Sequence, residues 1–172
     1  MAAPEELQEH VEHAHEPFDK TVAACMAIIA ALLAIVTVLG QHYNTEQLLR
    51  QQQSSDQWAF SQAKDIRRYV ALVTHDTLAQ LKGDPKLIGK YIQDETKYAK
   101  DHKEIQEKAR DLEKERDQSA EKAHRFHFGE VFLEVAIVLS SLAILSKRRP
   151  LFLAGIASAL IGVVWSGTGL LV

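Results

Sequence analysis

Cysteine is almost missing from this sequence: Cys25 is the only one in 172 residues. That excludes an intrachain disulfide framework and any zinc site built on cysteine thiolates. Also missing are a glycine-rich phosphate loop and any nucleophile–base–orienter set, so an enzyme is the least supported class. The formal net charge is −3 and no basic stripe runs along the chain, which argues against nucleic acid as a partner. Proline is scarce, with four residues, and none interrupts 41–81 or 86–127.

What is present is segregated into blocks. "VAACMAIIAALLAIVTVLG" (22–40) and "LFLAGIASALIGVVWSGTGLLV" (151–172) carry no charge. Each is long enough to cross a hydrocarbon core of about 30 Å, which takes roughly 20 helical residues. The flank of the first run, "PEELQEHVEHAHEPFDK", is acidic rather than basic, so the run reads as a retained transmembrane helix and not a signal peptide. A third apolar block, "FHFGEVFLEVAIVLSSLAILSKRRP" (126–150), reaches the required length only if Glu130 and Glu134 lie within the span.

These blocks predict an all-α membrane protein. Three transmembrane helices (21–40, 128–146 and 151–172) enclose a long antiparallel helical hairpin, coiled-coil-like, over 41–127 between the first and second. Residues 1–20 form an acidic N-terminal segment, in which Leu7, Val11, Ala14 and Phe18 recur at helical spacing. The hairpin turn falls at 82–86, where Gly83-Asp84-Pro85 combines a residue that tolerates positive φ with one that cannot continue a helix. On the second arm Tyr98, Ile105, Leu112, Ser119 and Phe126 alternate with His102, Ala109, Arg116 and Ala123 in a 3–4 rhythm. On the first arm Ala59, Ala63, Ile66, Val70, Val73 and Thr77 keep the same rhythm, so both series are expected at the hairpin seam. A seam this polar favours several hairpins packing together, hence a homo-oligomer.

Residues 147–150 form a basic turn. Lys147, Arg148 and Arg149 in so short a loop place it, and the N-terminus, in the cytoplasm by the positive-inside rule. The hairpin and the C-terminus then face the opposite side, which is the periplasm in a Gram-negative bacterium. Small residues mark packing faces: Gly155, Ala159, Gly162, Ser166 and Gly169 on the third span, and Ala23, Ala27, Ala30 and Ala34 on the first. Gly155, Ala159, Gly162 and Ser166 are the candidates for self-association, with packing inside the chain as the alternative.

The stretch "SSDQWAFSQAKDIRRY" (54–69) is unusual for a coiled-coil arm. Its Asp-Gln-Trp-Ala, then an aromatic, Gln-Ala-Lys and a basic cluster resemble the hallmark of a bacterial membrane family, domain of unknown function 4337. The block order along nearly the whole chain agrees. The resemblance implies a bacterial inner-membrane protein and brings no activity with it. From the residues alone, Asp56, Gln57, Trp58, Gln62 and Lys64 form a candidate partner-contact patch, or else Trp58 packs on its own hairpin.

Three constellations could carry chemistry. His42, His124, His127 and Glu130 come to one level in an antiparallel hairpin. They are candidate ligands for a divalent metal, or polar anchors of helix ends. His10, His13 and His15 with Glu9, Glu12 and Glu16 offer a second histidine tract. Glu130 and Glu134, one turn apart, should point to protein, with Thr37 and Ser166 at comparable depth, near Trp165 and Thr168. They are either inter-helix hydrogen-bonding groups or the lining of an ion or proton conduit. The leading expectation is a non-enzymatic, homo-oligomeric inner-membrane scaffold or adaptor in contact with lipid, with itself and with another membrane complex. A small ion or proton conduit and a metal-binding membrane protein are the alternatives.

Overall fold

The computed structural model describes residues 17–171, so the amphipathic reading of the N-terminal segment and the tract His10, His13 and His15 lie outside the described residues. Three helices account for nearly all of them: α1 (Pro17–Gln80), α2 (Pro85–Ser146) and α3 (Arg149–Thr168). No strand occurs among the described residues, and each helix contains a segment long and apolar enough to cross a membrane. The first apolar run and the first charged arm form one unbroken helix, as do the second arm and second run. The chain divides into two compact units, 17–45 with 118–171 and 46–117, so both divisions fall inside long helices.

Local chemistry explains the α1–α2 turn. Gly83 N–H donates to the Leu78 carbonyl (2.8 Å) and Lys82 N–H to that of Ala79 (3.3 Å), the paired bonds of a Schellman cap. The left-handed residue of that cap is Lys82, at φ 53°, while Gly83 has an ordinary φ. The sequence expectation put the positive φ on the glycine; the bond pattern places it one residue earlier. Asp84 then caps α2, its Oδ1 accepting from Lys86 N–H at 2.9 Å, and Pro85 occupies the first helical position, where a missing N–H costs nothing.

In the unit of 46–117 the two helices meet in opposite chain order. Ser54 Oγ donates to the Ala109 carbonyl (3.3 Å), Trp58 Nε1 to Glu113 Oε1 (2.8 Å) and Lys64 Nζ to Asp101 Oδ2 (2.7 Å). His102 Nδ1 lies 3.0 Å from the Ser61 carbonyl and 2.9 Å from its hydroxyl, which fits Nδ1 as the protonated nitrogen, because a carbonyl only accepts. The second-arm series is buried or half-buried throughout, as its spacing predicts. The first-arm series is not: Ala59, Ala63, Ile66, Val70, Val73 and Thr77 are all exposed. The inward face of α1 is instead Ser54, Trp58, Ser61, Asp65, Arg68, Leu72 and His75, with Ala71 buried beside them, a second 3–4 series displaced by two residues. Two residues rotate a helix by about 200°, so the two series occupy opposite faces. Specific polar bonds to α2 select the less apolar one.

The unit of 17–45 with 118–171 is built the other way round. Its core joins Ile29, Val36, Phe126, Leu133, Ala136 and Ala159. Ser140, Ser158, Ser166, Gly155 and Gly162 are buried beside them, while Ile28, Ile35, Val38, Val138, Leu153, Leu160 and Val164 are exposed. The core mixes large apolar side chains with small ones, and the further large aliphatic side chains that face outward suit a solvent that is itself apolar.

Candidate functional site

Three polar groups of the apolar unit, Thr37, Glu130 and His127, come together. Thr37 on α1 donates its hydroxyl to Glu130 Oε1 on α2 at 2.6 Å, and His127 Nδ1 lies 3.4 Å from Glu130 Oε2. Glu130 is half-buried and His127 exposed. Toward the charged arms Tyr43 stacks on Phe126 with ring centroids 5.6 Å apart, and Gly40 packs against Phe126 Cβ. A carboxyl group in this setting is held by a neutral hydroxyl donor across the helix pair, which ties α1 to α2 by more than apolar contact.

The other carboxylate behaves differently. Glu134, four residues on, is exposed and makes no hydrogen bond or ion pair among the described residues. Its neighbours Val131, Val135 and Val138 are exposed as well. Of the pair expected to face protein, Glu130 does so and Glu134 does not. The contact to Thr37 also belongs to Glu130, because a step of four residues along α2 turns the deeper side chain off the α1-facing side.

The four candidate metal ligands do not assemble. Among the described residues no three His, Cys, Asp or Glu side chains converge to hold an ion. Along α2 the spacing of three carries each side chain about 60° further round, and His124 to Glu130 climbs about 9 Å. His124 lies edge-on to Phe128, with centroids 4.7 Å apart, and exposed His42 packs edge-on to Tyr43 at 5.2 Å. Aromatic contacts take both imidazoles, and only His127 reaches Glu130.

The small-residue stripe of α3 is used within the chain. A methyl group added at Gly129 would overlap Ser166 Oγ outright and lie 2.7 Å from the Gly162 carbonyl. One added at Gly162 would lie 2.8 Å from the Gly129 carbonyl, and one at Gly155 would lie 2.9 Å from Ser140 Oγ. Ser158 Oγ donates to the Phe132 carbonyl at 2.8 Å. Gly155, Ala159, Gly162 and Ser166 are therefore covered by α2 and not free for a second copy. Ser166 Oγ itself is buried without a hydrogen-bond partner, as is Ser140 Oγ.

In the charged unit the contact patch divides. Trp58 and Lys64 turn toward α2, and Lys64 also lies over the Phe60 and Tyr98 rings at 5.4 and 5.5 Å. Asp56 and Gln62 are exposed, and Gln57 is half-buried. The Lys64 hydrogen bond holds the Asp101 carboxyl below its usual range.

A family model described as "Domain of unknown function (DUF4337)" matches residues 18–172. The chain belongs to that family. No curated protein and no solved structure matches the chain. In this family member the residues 54–69 that carry the resemblance contribute Ser54, Trp58, Ser61 and Lys64 to bonds with α2.

One ion pair escaped the sequence reading. Asp19, in the first turn of α1 and only 6% exposed, pairs with Lys147 of the basic turn. Phe18 beside it meets Phe152 edge-on at 6.1 Å, joining the starts of α1 and α3. The acidic residue suits a helix N-terminus, but its partner follows only from three-helix packing. No spacing in the sequence signals that packing.

Proposed function

We propose that this protein is a non-enzymatic, homo-oligomeric scaffold or adaptor of the bacterial inner membrane. The unit of 17–45 with 118–171 spans the bilayer as three helices. Residues 46–117 form a water-exposed helical hairpin that presents a surface to another membrane complex. The basic turn at 147–150 faces the cytoplasm and the hairpin the periplasm, following the positive-inside rule. One observation carries this reading: the apolar unit turns Ile28, Ile35, Val38, Val138, Leu153, Leu160 and Val164 outward, whereas the hairpin unit surrounds its seam with charge. Asp56, an exposed member of the contact patch, is assigned to partner contact.

The test is membrane extraction followed by crosslinking in cells. The protein should remain in membranes washed with alkaline carbonate. A stoichiometric partner should be recovered from wild type and depleted from Asp56→Arg, whose helicity is unchanged. Extraction by carbonate, or recovery of the chain alone, would overturn the reading.

A second reading rests on Glu134, a carboxyl on an otherwise aliphatic exterior. Carboxyl groups within a span are costly unless they meet protein or water. Copies arranged with Glu134 toward a common axis would form an ion or proton conduit, with Glu130 committed to Thr37. Liposome flux that is absent, or unchanged in Glu134→Gln, would dismiss it.

A further inference from the structure

Resting on the homo-oligomer reading above, we infer that the outward face of α1 formed by Ala59, Ala63, Ile66, Val70, Val73 and Thr77 is a coiled-coil seam for a second copy of this chain. The face is free in the single chain: Ile66, Val70 and Val73 are 63, 59 and 62% exposed. Leaving such side chains in water forfeits hydrophobic stabilisation, so the face is built to be covered.

The identity of the cover follows from three features. The six residues step by 4, 3, 4, 3 and 4 over almost three heptads without a charge. That rhythm fits a helix of the same period and not a groove or a flat sheet. Within the unit of 46–117 the only other helix, α2, already turns its own series toward the opposite face of α1. Among the described residues of this unit, the helix of matching rhythm left to cover the face is another α1.

The flanking residues agree with a parallel, in-register pair. In that geometry a residue beside the seam meets the residue five further along on the other strand. Gln62 then faces Arg67 of the second copy, and Tyr69 faces Thr74 of the second copy, so no like charges meet. Ile66, Val70, Val73 and Thr77 place β-branched side chains at successive seam positions, as in the cores of parallel coiled coils. By contrast, the inward series contains Asp65 and Arg68, which bond to one another, and His75, whose ring lies beside Asp76. The helix thus carries a polar face for its own hairpin and an apolar face for its copy.

Disulfide crosslinking in native membranes tests this. In a Cys25→Ser background, Ile66→Cys, Val70→Cys and Val73→Cys are oxidised beside Lys100→Cys, a control whose side chain is 78% exposed on α2. Homodimer bands several-fold stronger at the three seam positions than at the control are expected. Equal crosslinking at all positions, none at the seam, or a product whose mass is not twice the chain would overturn the inference. The mass of the detergent-solubilised protein separates this inference from the reading on which it rests. Wild type should be a multiple of the chain, and Val70→Glu, altered at an exposed site that leaves the hairpin folded, should be a single chain. A multimer unchanged by Val70→Glu overturns the seam alone; a monomeric wild type overturns the homo-oligomer as well.

Discussion

Thr37 Oγ1 and Glu130 Oε1, 93 residues apart in sequence, lie 2.6 Å from one another between α1 and α2. The bond answers the cost of a carboxyl in an apolar helix, since among the described residues its other hydrogen-bond partner is exposed His127. Thr37→Val keeps the shape of the side chain and removes the donor. It should lower stability by about 1–2 kcal/mol, the range between a typical interhelical bond in a membrane and a group left unsatisfied. A double-mutant cycle with Glu130→Leu, read by denaturant unfolding in detergent, should be non-additive. Strict additivity would show that the two groups are not coupled.

Gly129 and Gly162 each point at the other's backbone carbonyl. Backbone cannot give way as a flexible side chain can, so Gly129→Ala and Gly162→Ala should each separate α2 from α3. A destabilisation of about 1–3 kcal/mol is expected, as for an overpacked core. Gly89 is the control of opposite sign. Nothing lies within 4 Å of a methyl group placed there, and alanine is better than glycine in a helix interior by about 0.5–1 kcal/mol. Thermal unfolding of the three variants should rank Gly89→Ala above wild type and the other two below it.

The α1–α2 turn invites a pair of changes with opposite outcomes. Lys82 occupies the left-handed position of the Schellman cap, where a β-carbon costs about 1–2 kcal/mol. Lys82→Gly should therefore raise stability by about 1 kcal/mol, the added chain entropy offsetting part of the gain. Asp84→Ala removes the side-chain cap on Lys86 N–H and should cost about 0.5–2 kcal/mol. Helicity followed by circular dichroism during urea unfolding would show both signs, and equal effects would mean that the turn tolerates any residue.

How much of this was legible in the sequence depends on what each residue answers to. The three apolar runs and the turn at 82–86 were legible, because length, charge and Asp-Pro capping are local properties. The second-arm series from Tyr98 to Phe126 was legible for the same reason: α2 has one inward 3–4 series. The first arm misled because α1 carries two such series. Apolarity favours Ile66 and Val70, yet Ser54, Ser61 and Lys64 have partners on α2 that only the folded pair reveals. The glycine stripe of α3 was legible as a packing face but its partner was open between this chain and a second copy, since Gly129 on α2, which completes it, is not signalled by spacing. Histidines 42, 124 and 127 were near one another in level but not in direction, and direction is what a metal needs.

Direction also decides what the Lys64–Asp101 pair does with pH. The Lys64 hydrogen bond is the leading cause that holds the Asp101 carboxyl below its ordinary value of 3.8, with Coulombic attraction to Lys64, Lys97 and Lys100 adding to it and partial desolvation opposing it. The folded state therefore binds this proton less readily than the unfolded state. Its stabilisation is complete above the unfolded value and is lost as pH falls through the lower folded one. Asp101→Asn should accordingly be less stable than wild type at neutral pH, and the gap should close once acid protonates the wild-type carboxyl. Lys64→Met should behave otherwise. Lysine stays charged in acid, and its ammonium lies over the Phe60 and Tyr98 rings as well as beside Asp101. Part of its deficit should then persist at low pH. Urea unfolding across the acid range, with carbon-detected titration of the Asp101 carboxyl, distinguishes the two. An Asp101 that titrates at its ordinary value in wild type, or an Asp101→Asn gap independent of pH, would show that the pair is not formed.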